Sequence, residues 1–161
     1  MGQYNAPLRD MHFVLHELLD VTGELKTLPA YAEVDADTIN AVLEEGGKFA
    51  AAVVAPLNQS GDAEGCTLDR GTHAVTAPKG FKEAYAHFVA GGWNAVPCDP
   101  EYGGQGLPWT VATPVAEMWN SANMAFALCP LLNQGAIELL SAHGSARQKA
   151  LYLRKMISGE W

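Results

Sequence analysis

The sequence predicts an all-α fold, an irregular bundle of about six helices. Three observations carry this. Apolar residues recur at three- and four-residue spacing along most of the chain, the spacing of one helix face. No segment sustains the period-two alternation of a half-buried strand. Pro and Gly stand where helices start and stop. The chain has 161 residues, 48% apolar and 17% charged, which is enough to bury a core as one domain.

The first helix opens at Pro7, whose missing N–H costs nothing in a first turn. Leu8, Met11, Leu15, Leu18 and Leu19 form its stripe, and it should end before Gly23. Asp35 or Asp37 can cap the second helix. Ile39, Val42, Leu43, Gly46, Ala50, Val53 and Leu57 line one face of it, and Pro56 should bend or end it. Residues 58–77 are polar and glycine-bearing and read as a long surface loop.

Pro78 opens a third helix with Phe81, Ala84, Tyr85 and Phe88 on one face, closed by Gly91-Gly92. Residues 93–107 are loop, dense in Pro and Gly. Pro108 starts a pattern through Val111, Val115, Met118 and Ala122, with a kink or late start expected at Pro114. Residues 125–142 are apolar nearly all round, the mark of a buried helix, and His143 sits at its carboxyl end. Ser145 and Gln148 form a capping box for the last helix, which runs to Gly159.

The net charge of −8 opposes a nucleic-acid partner, which calls for a clustered basic surface. Cys66, Cys98 and Cys129 are odd in number and far apart, so neither a disulfide framework nor a zinc site is expected, and a reducing cytoplasm fits. The N-terminus has no signal-peptide pattern. The densest apolar run, Phe126 to Leu132, is broken by Pro130 and falls short of the roughly 20 residues of a membrane span.

Motif readings weigh mostly toward structure. Gly103-Gly104-Gln105-Gly106 has no following Lys-Ser/Thr and no preceding strand, so it reads as a turn needing positive φ and not as a phosphate loop. His12 and His16 share a helix face and could hold a metal, but no third ligand is evident and Glu17 follows His16 instead of preceding it. No G-x-S-x-G surrounds any serine, and Asp99 with Glu101 reads as a solvated loop pair. Trp93, Trp109, Trp119 and Trp161 are numerous for this length, and Trp161 at the end of the chain suggests a surface that meets another domain.

Several segments together carry a resemblance. They are Trp93-Asn94-Ala95-Val96-Pro97, Pro100-Glu101-Tyr102-Gly103-Gly104-Gln105-Gly106-Leu107-Pro108, Glu117-Met118-Trp119-Asn120-Ser121-Ala122-Asn123-Met124-Ala125-Phe126, Leu131-Leu132-Asn133-Gln134-Gly135-Ala136 and the closing Ile157-Ser158-Gly159-Glu160-Trp161. The chain resembles the helical N-terminal domain of the acyl-CoA dehydrogenase family. Its opening, Tyr4-Asn5-Ala6-Pro7-Leu8-Arg9-Asp10-Met11-His12-Phe13-Val14-Leu15, is similar to the N-terminal extension of the branch that includes 3-methylmercaptopropionyl-CoA dehydrogenase. The resemblance implies an extension over residues 1–34 with one helix and the family domain over 35–161. The chain stops where the family's flavin-covering β-domain would begin, and the catalytic C-terminal domain would follow that.

What the resemblance implies about function is specific. The whole enzyme would oxidise an acyl-CoA to its 2,3-enoyl thioester with FAD and pass electrons to an electron-transfer flavoprotein, as a homo-oligomer. The base and the flavin contacts would lie outside this chain, so no residue here is assigned to catalysis, to the flavin or to a metal, and the chain alone should be inactive. Its part would be a wall of the acyl pocket, with Phe126, Leu131, Leu132 and Gly135 as the wall residues. Two other classes compete: a stand-alone helical interaction module, and a metal-binding bundle built on His12 and His16.

Overall fold

The computed structural model describes residues 4–161. Helices dominate, as expected, with one two-residue hairpin. The N-terminal segment differs from its reading. Helix α1 (Leu8–His12) passes into a π-helical turn (Phe13–Leu18), and a separate helix α2 (Val21–Lys26) follows. Gly23 therefore opens a helix where it was expected to end one. Asp20, in the left-handed region at φ +43, accepts from the Gly23 N–H at 3.3 Å, and a side chain at 23 would collide with that carboxylate. The glycine is a packing choice at a cap, not a stop.

Helix α3 (Ala36–Phe49) is capped by Asp35, which accepts from the Thr38 N–H at 2.8 Å. Hydrogen bonding by Thr38, its side chain first and this N–H second, holds the Asp35 carboxyl below its ordinary range. A π turn (Ala50–Val54) joins α3 to α4 (Pro56–Glu64). Pro56 serves as the first residue of α4, so the helical path continues where a surface loop was expected. Gly61, one of the glycines of that polar stretch, is buried in α4, and a Cβ there would lie 2.6 Å from the Phe81 ring. Beyond it a hairpin pairs Thr67 with Thr76 and Leu68 with Val75, as strands β1 (Thr67–Leu68) and β2 (Val75–Thr76). Strands of two residues leave no periodic trace in a sequence.

Helix α5 (Phe81–Ala90) leads into two 3-10 turns (Trp93–Ala95 and Pro100–Tyr102). Helices α6 (Trp109–Ala122), α7 (Met124–His143) and α8 (Ala146–Ile157) complete the bundle. Helix α6 starts at once and runs through Pro114, so the late start is not found. The capping box at Ser145 is formed: Gln148 N–H donates to Ser145 Oγ at 3.3 Å, and the Ser145 N–H donates to Gln148 Oε1 at 2.9 Å.

The main core joins α3, α5, α6 and the start of α7. Phe49, Phe88, Trp93, Trp119 and Phe126 interlock there as edge-to-face and tilted rings, with centroids 5.3 to 6.2 Å apart. Gly46 lets α6 approach α3: a Cβ there would sit 3.4 Å from Met118 Sδ. A second cluster, of Ala95, Cys98, Ile137, Leu153 and Ile157, fastens α8 beneath α7.

Helix α7 is not buried all round. Phe126, Ala127, Pro130 and Ile137 are buried, whereas Met124, Leu128, Leu131, Leu132 and Leu139 are exposed. At 20 residues with mean hydropathy 1.3 it is also long and apolar enough to cross a membrane, by length and composition alone, a length the sequence reading did not find in any run. Its packing is that of a bundle helix, lying on α6 and α8, with Asn133 donating to the Met156 carbonyl at 2.9 Å.

Candidate functional site

The loop between α5 and α6 makes a shelf. Gly103 (φ +96) and Gly106 (φ +67) turn it back so that the N–H groups of Gln105, Gly106 and Leu107 donate to the carbonyls of Ala95, Cys98 and Val96 at 2.9 to 3.0 Å. Gly104 has no room for a side chain, since a Cβ would run into the Cys98 carbonyl. The glycines thus serve structure, as their spacing implied. The shelf presents Trp93, Asn94, Val96 and Pro97 toward α6 and α7.

Between shelf and helices lies a cleft of about 290 Å³. Phe88, Trp93 and Trp119 supply aromatic walls. Ala112, Val115 and Ala116 line the α6 side, and Ala127, Pro130, Leu131 and Gly135 the α7 side. Trp109, half exposed at the start of α6, also lines it. The small alanines and the glycine leave the width, and the locked aromatic cluster behind keeps the wall stiff.

Four polar side chains reach this apolar space: Asn94, Asn120, Gln134 and Glu138. Asn94 Nδ2 is engaged with the Met156 and Ile157 carbonyls at 2.7 and 3.2 Å, satisfying the last turn of α8. Asn120 Nδ2 donates to the Ala116 carbonyl at 2.8 Å. Gln134 Nε2 donates to Cys98 Sγ at 3.5 Å, and Cys98 in turn donates to the Asn94 carbonyl at 3.5 Å. Burial pushes the Cys98 thiol up, so it stays protonated and can act as that donor.

Of the expected wall residues, Leu131 and Gly135 line the cleft and Phe126 and Leu132 do not. Phe126 is buried on the far side of α7, against Phe81 and Phe88. Leu132 is 73% exposed and points away. These four cannot all share a face, because positions 126 and 132 fall off the 131–135 stripe. The aromatic half of the wall, Trp93, Trp109 and Trp119, was not assigned to the site from sequence. Its signal was the unusual tryptophan density.

His12 and His16 stay a pair. Their rings are 5.9 Å apart, His16 Nε2 lies 2.7 Å from Asn40 Oδ1, and among the described residues no third His, Cys, Asp or Glu completes a metal site with them.

Residues 36–160 match the family model described as the N-terminal domain of acyl-CoA dehydrogenases. The chain belongs to the acyl-CoA dehydrogenase family. It is 45% identical over 158 residues to 3-methylmercaptopropionyl-CoA dehydrogenase of Ruegeria pomeroyi, across 98% of this chain and 26% of that protein. It is 31% identical over 160 residues to a butyryl-CoA dehydrogenase of Syntrophomonas wolfei, again across 98% of this chain and 26% of the relative. It is 32% identical over 125 residues to a broad-specificity linear acyl-CoA dehydrogenase of Mycobacterium tuberculosis, across 78% of this chain and 20% of the relative. The chain thus spans about a quarter of the length of the first of these acyl-CoA dehydrogenases. Its helices α3 to α8 are the acyl-CoA dehydrogenase N-terminal domain.

Proposed function

We propose that this domain serves a flavin-dependent acyl-CoA dehydrogenase and that the cleft between the shelf, α6 and α7 receives the acyl chain. The observation that carries this is the open space at Gly135. A mid-helix glycine costs about 1 kcal/mol against alanine. The usual compensation is close packing, yet a Cβ at Gly135 would meet nothing within 4 Å. The space it leaves belongs to an apolar cleft, suited to a methylene chain, whose burial contributes about 0.8 kcal/mol per CH₂.

The cleft does not suit a flavin dinucleotide. A pyrophosphate calls for cationic side chains or a row of backbone N–H groups, and no Lys or Arg is among the lining residues. FAD would be held by parts of the enzyme outside these residues, where it would accept the hydride from the β-carbon. The work of this chain is binding: its aromatic wall excludes water from the tail and fixes the depth to which it inserts. By the same reading, Met124, Leu128, Leu132 and Leu139 on the outer flank of α7, with Trp161, meet other parts of the enzyme. A homo-oligomer that hands electrons to an electron-transfer flavoprotein completes the proposal.

Turnover tests it. Enzyme containing this domain, given straight-chain acyl-CoAs and an electron acceptor, should form 2,3-enoyl thioesters. Failure to convert any acyl-CoA while flavin is bound would reject the reading.

A further inference from the structure

Within that acyl cleft, and resting on that reading, we infer that Glu138 sets specificity by charge: it turns away acyl groups that end in a carboxylate and leaves the cleft to uncharged chains of equal length. Glu138 carries the only formal charge among the lining residues. Asn94, Asn120 and Gln134 are neutral amides, and no Lys, Arg or His stands with them. Gln134 and Glu138 are one turn apart on α7, which puts both on the face that meets the cleft. No ion pair neutralises Glu138 among the described residues, where the pairs are Lys48 with Glu45 and Lys155 with Glu160. Lys149 of α8 donates to the Ser141 carbonyl at 2.6 Å instead.

An acyl carboxylate would meet two penalties here. It would leave water for an apolar wall that holds no cation, and the three amide nitrogens are already engaged. It would also face a like charge, and apolar surroundings screen that repulsion less than bulk water does. Burial raises the Cys98 thiol most, and the Glu138 charge adds to it, so that charge is felt at the shelf as well. Glu138 is itself exposed, so solvent screens part of the repulsion and the effect is modest. An uncharged chain escapes both penalties.

The experiment uses the complete enzyme and compares kcat/KM for pentanoyl-CoA with that for glutaryl-CoA, a chain of equal length that ends in a carboxylate. Where glutaryl-CoA is not turned over, its inhibition constant against pentanoyl-CoA replaces kcat/KM. The wild-type preference for pentanoyl-CoA should fall about three- to tenfold in Glu138→Gln, mainly through KM, as removal of one part-screened like charge implies. Glu138→Lys should lower it further, because it supplies the missing cation. Both replacements favour a helix, so each guards the other against misfolding. Added salt should narrow the preference more in the wild type than in Glu138→Gln, a response that a merely structural role would not give. A ratio unchanged in both variants, an equal loss on both substrates, or glutaryl-CoA that neither reacts nor inhibits in any of the three enzymes would overturn the inference and leave the acyl cleft standing. Failure of the wild type on pentanoyl-CoA would overturn the inference, and failure on every straight-chain acyl-CoA would overturn the cleft reading as well.

Discussion

Helices α6 and α7 are neighbours in sequence, separated only by Asn123, and both are apolar with a proline inside. They end in opposite circumstances. Helix α6 buries Val111, Ala112, Val115, Met118, Trp119 and Ala122 and spends its apolar face within this domain. Helix α7 is longer and more apolar, yet leaves a row of leucines exposed. Apolar composition therefore did not decide burial here. What decided it was the extent of cover: α6 lies under α3 and the aromatic cluster, while α7 packs on α6 and α8, meets α4 and the Phe81 and Phe88 rings besides, and keeps Leu128, Leu131, Leu132 and Leu139 exposed.

The contrast breaks first on paired truncations. Met118 is fully buried against Gly46, so Met118→Ala should cost about 2–5 kcal/mol through lost contacts and a cavity. Leu132→Ala, off the cleft stripe and exposed, should stay within about 0.5 kcal/mol. Urea denaturation midpoints give both. A large cost at Leu132 would mean that the outer flank of α7 is already covered in solution, for example by a second copy.

The junction is the next place to press. Asn123 is buried, and it does two jobs at once. Its Oδ1 accepts from the Phe126 N–H at 3.1 Å, capping α7, and its Nδ2 reaches the Val54 carbonyl at 3.4 Å. That carbonyl stands at the end of the π turn before Pro56, where the Asn58 N–H is turned instead to Ala55. Asn123→Ala should cost about 2 kcal/mol, adding a lost cap to a buried carbonyl left unpaired. Asn123→Asp, which keeps the cap and loses the donor, should separate the two. If both variants unfold at the wild-type midpoint, the anchor is not what joins α6 to α7.

These residues also show what a sequence can carry. The Asp35 and Ser145 caps were legible because capping is local chemistry within four residues. The helix faces of α3, α5 and α6 were legible because each has one filled stripe. The π turns were not, since apolar spacing does not mark them; one lies just before the left-handed Asp20 and the other just before Pro56. Gly23 and Gly61 looked like breaks because their reason, a carboxylate and the Phe81 ring, lies outside the local pattern. The site was half legible for a related reason. The sequence put its candidate wall on α7, which borders the cleft, but the face of α7 that meets the cleft is fixed by where α6 and the shelf sit. That is why Leu131 and Gly135 line it while Phe126 and Leu132 do not.

The cap of α8 gives a smaller effect. Ser145→Ala removes one half of the capping box and should lower stability by about 1 kcal/mol, with the denaturation slope unchanged. A shift in slope as well would mean that α8 frays from the second core cluster and is not simply less well capped.

The smallest change is the sharpest test of what α7 is for. If α7 were an ordinary core helix, Gly135 would be there to let something approach, and any side chain would destabilise. The open space around it predicts the reverse: Gly135→Ala should raise stability by about 0.5–1 kcal/mol, because alanine restricts the unfolded chain and meets no neighbour. Gly135→Leu adds bulk to the cleft beside Leu131 and Gln134. In the complete enzyme its loss of turnover should grow with acyl length, since a blocked depth excludes long chains before short ones. A uniform loss over all lengths would move Gly135 from the cleft to helix packing. A stabilised variant with selective loss of long chains would show that this glycine is retained for access at a cost in stability, which is the asymmetry between α7 and α6 reduced to one residue.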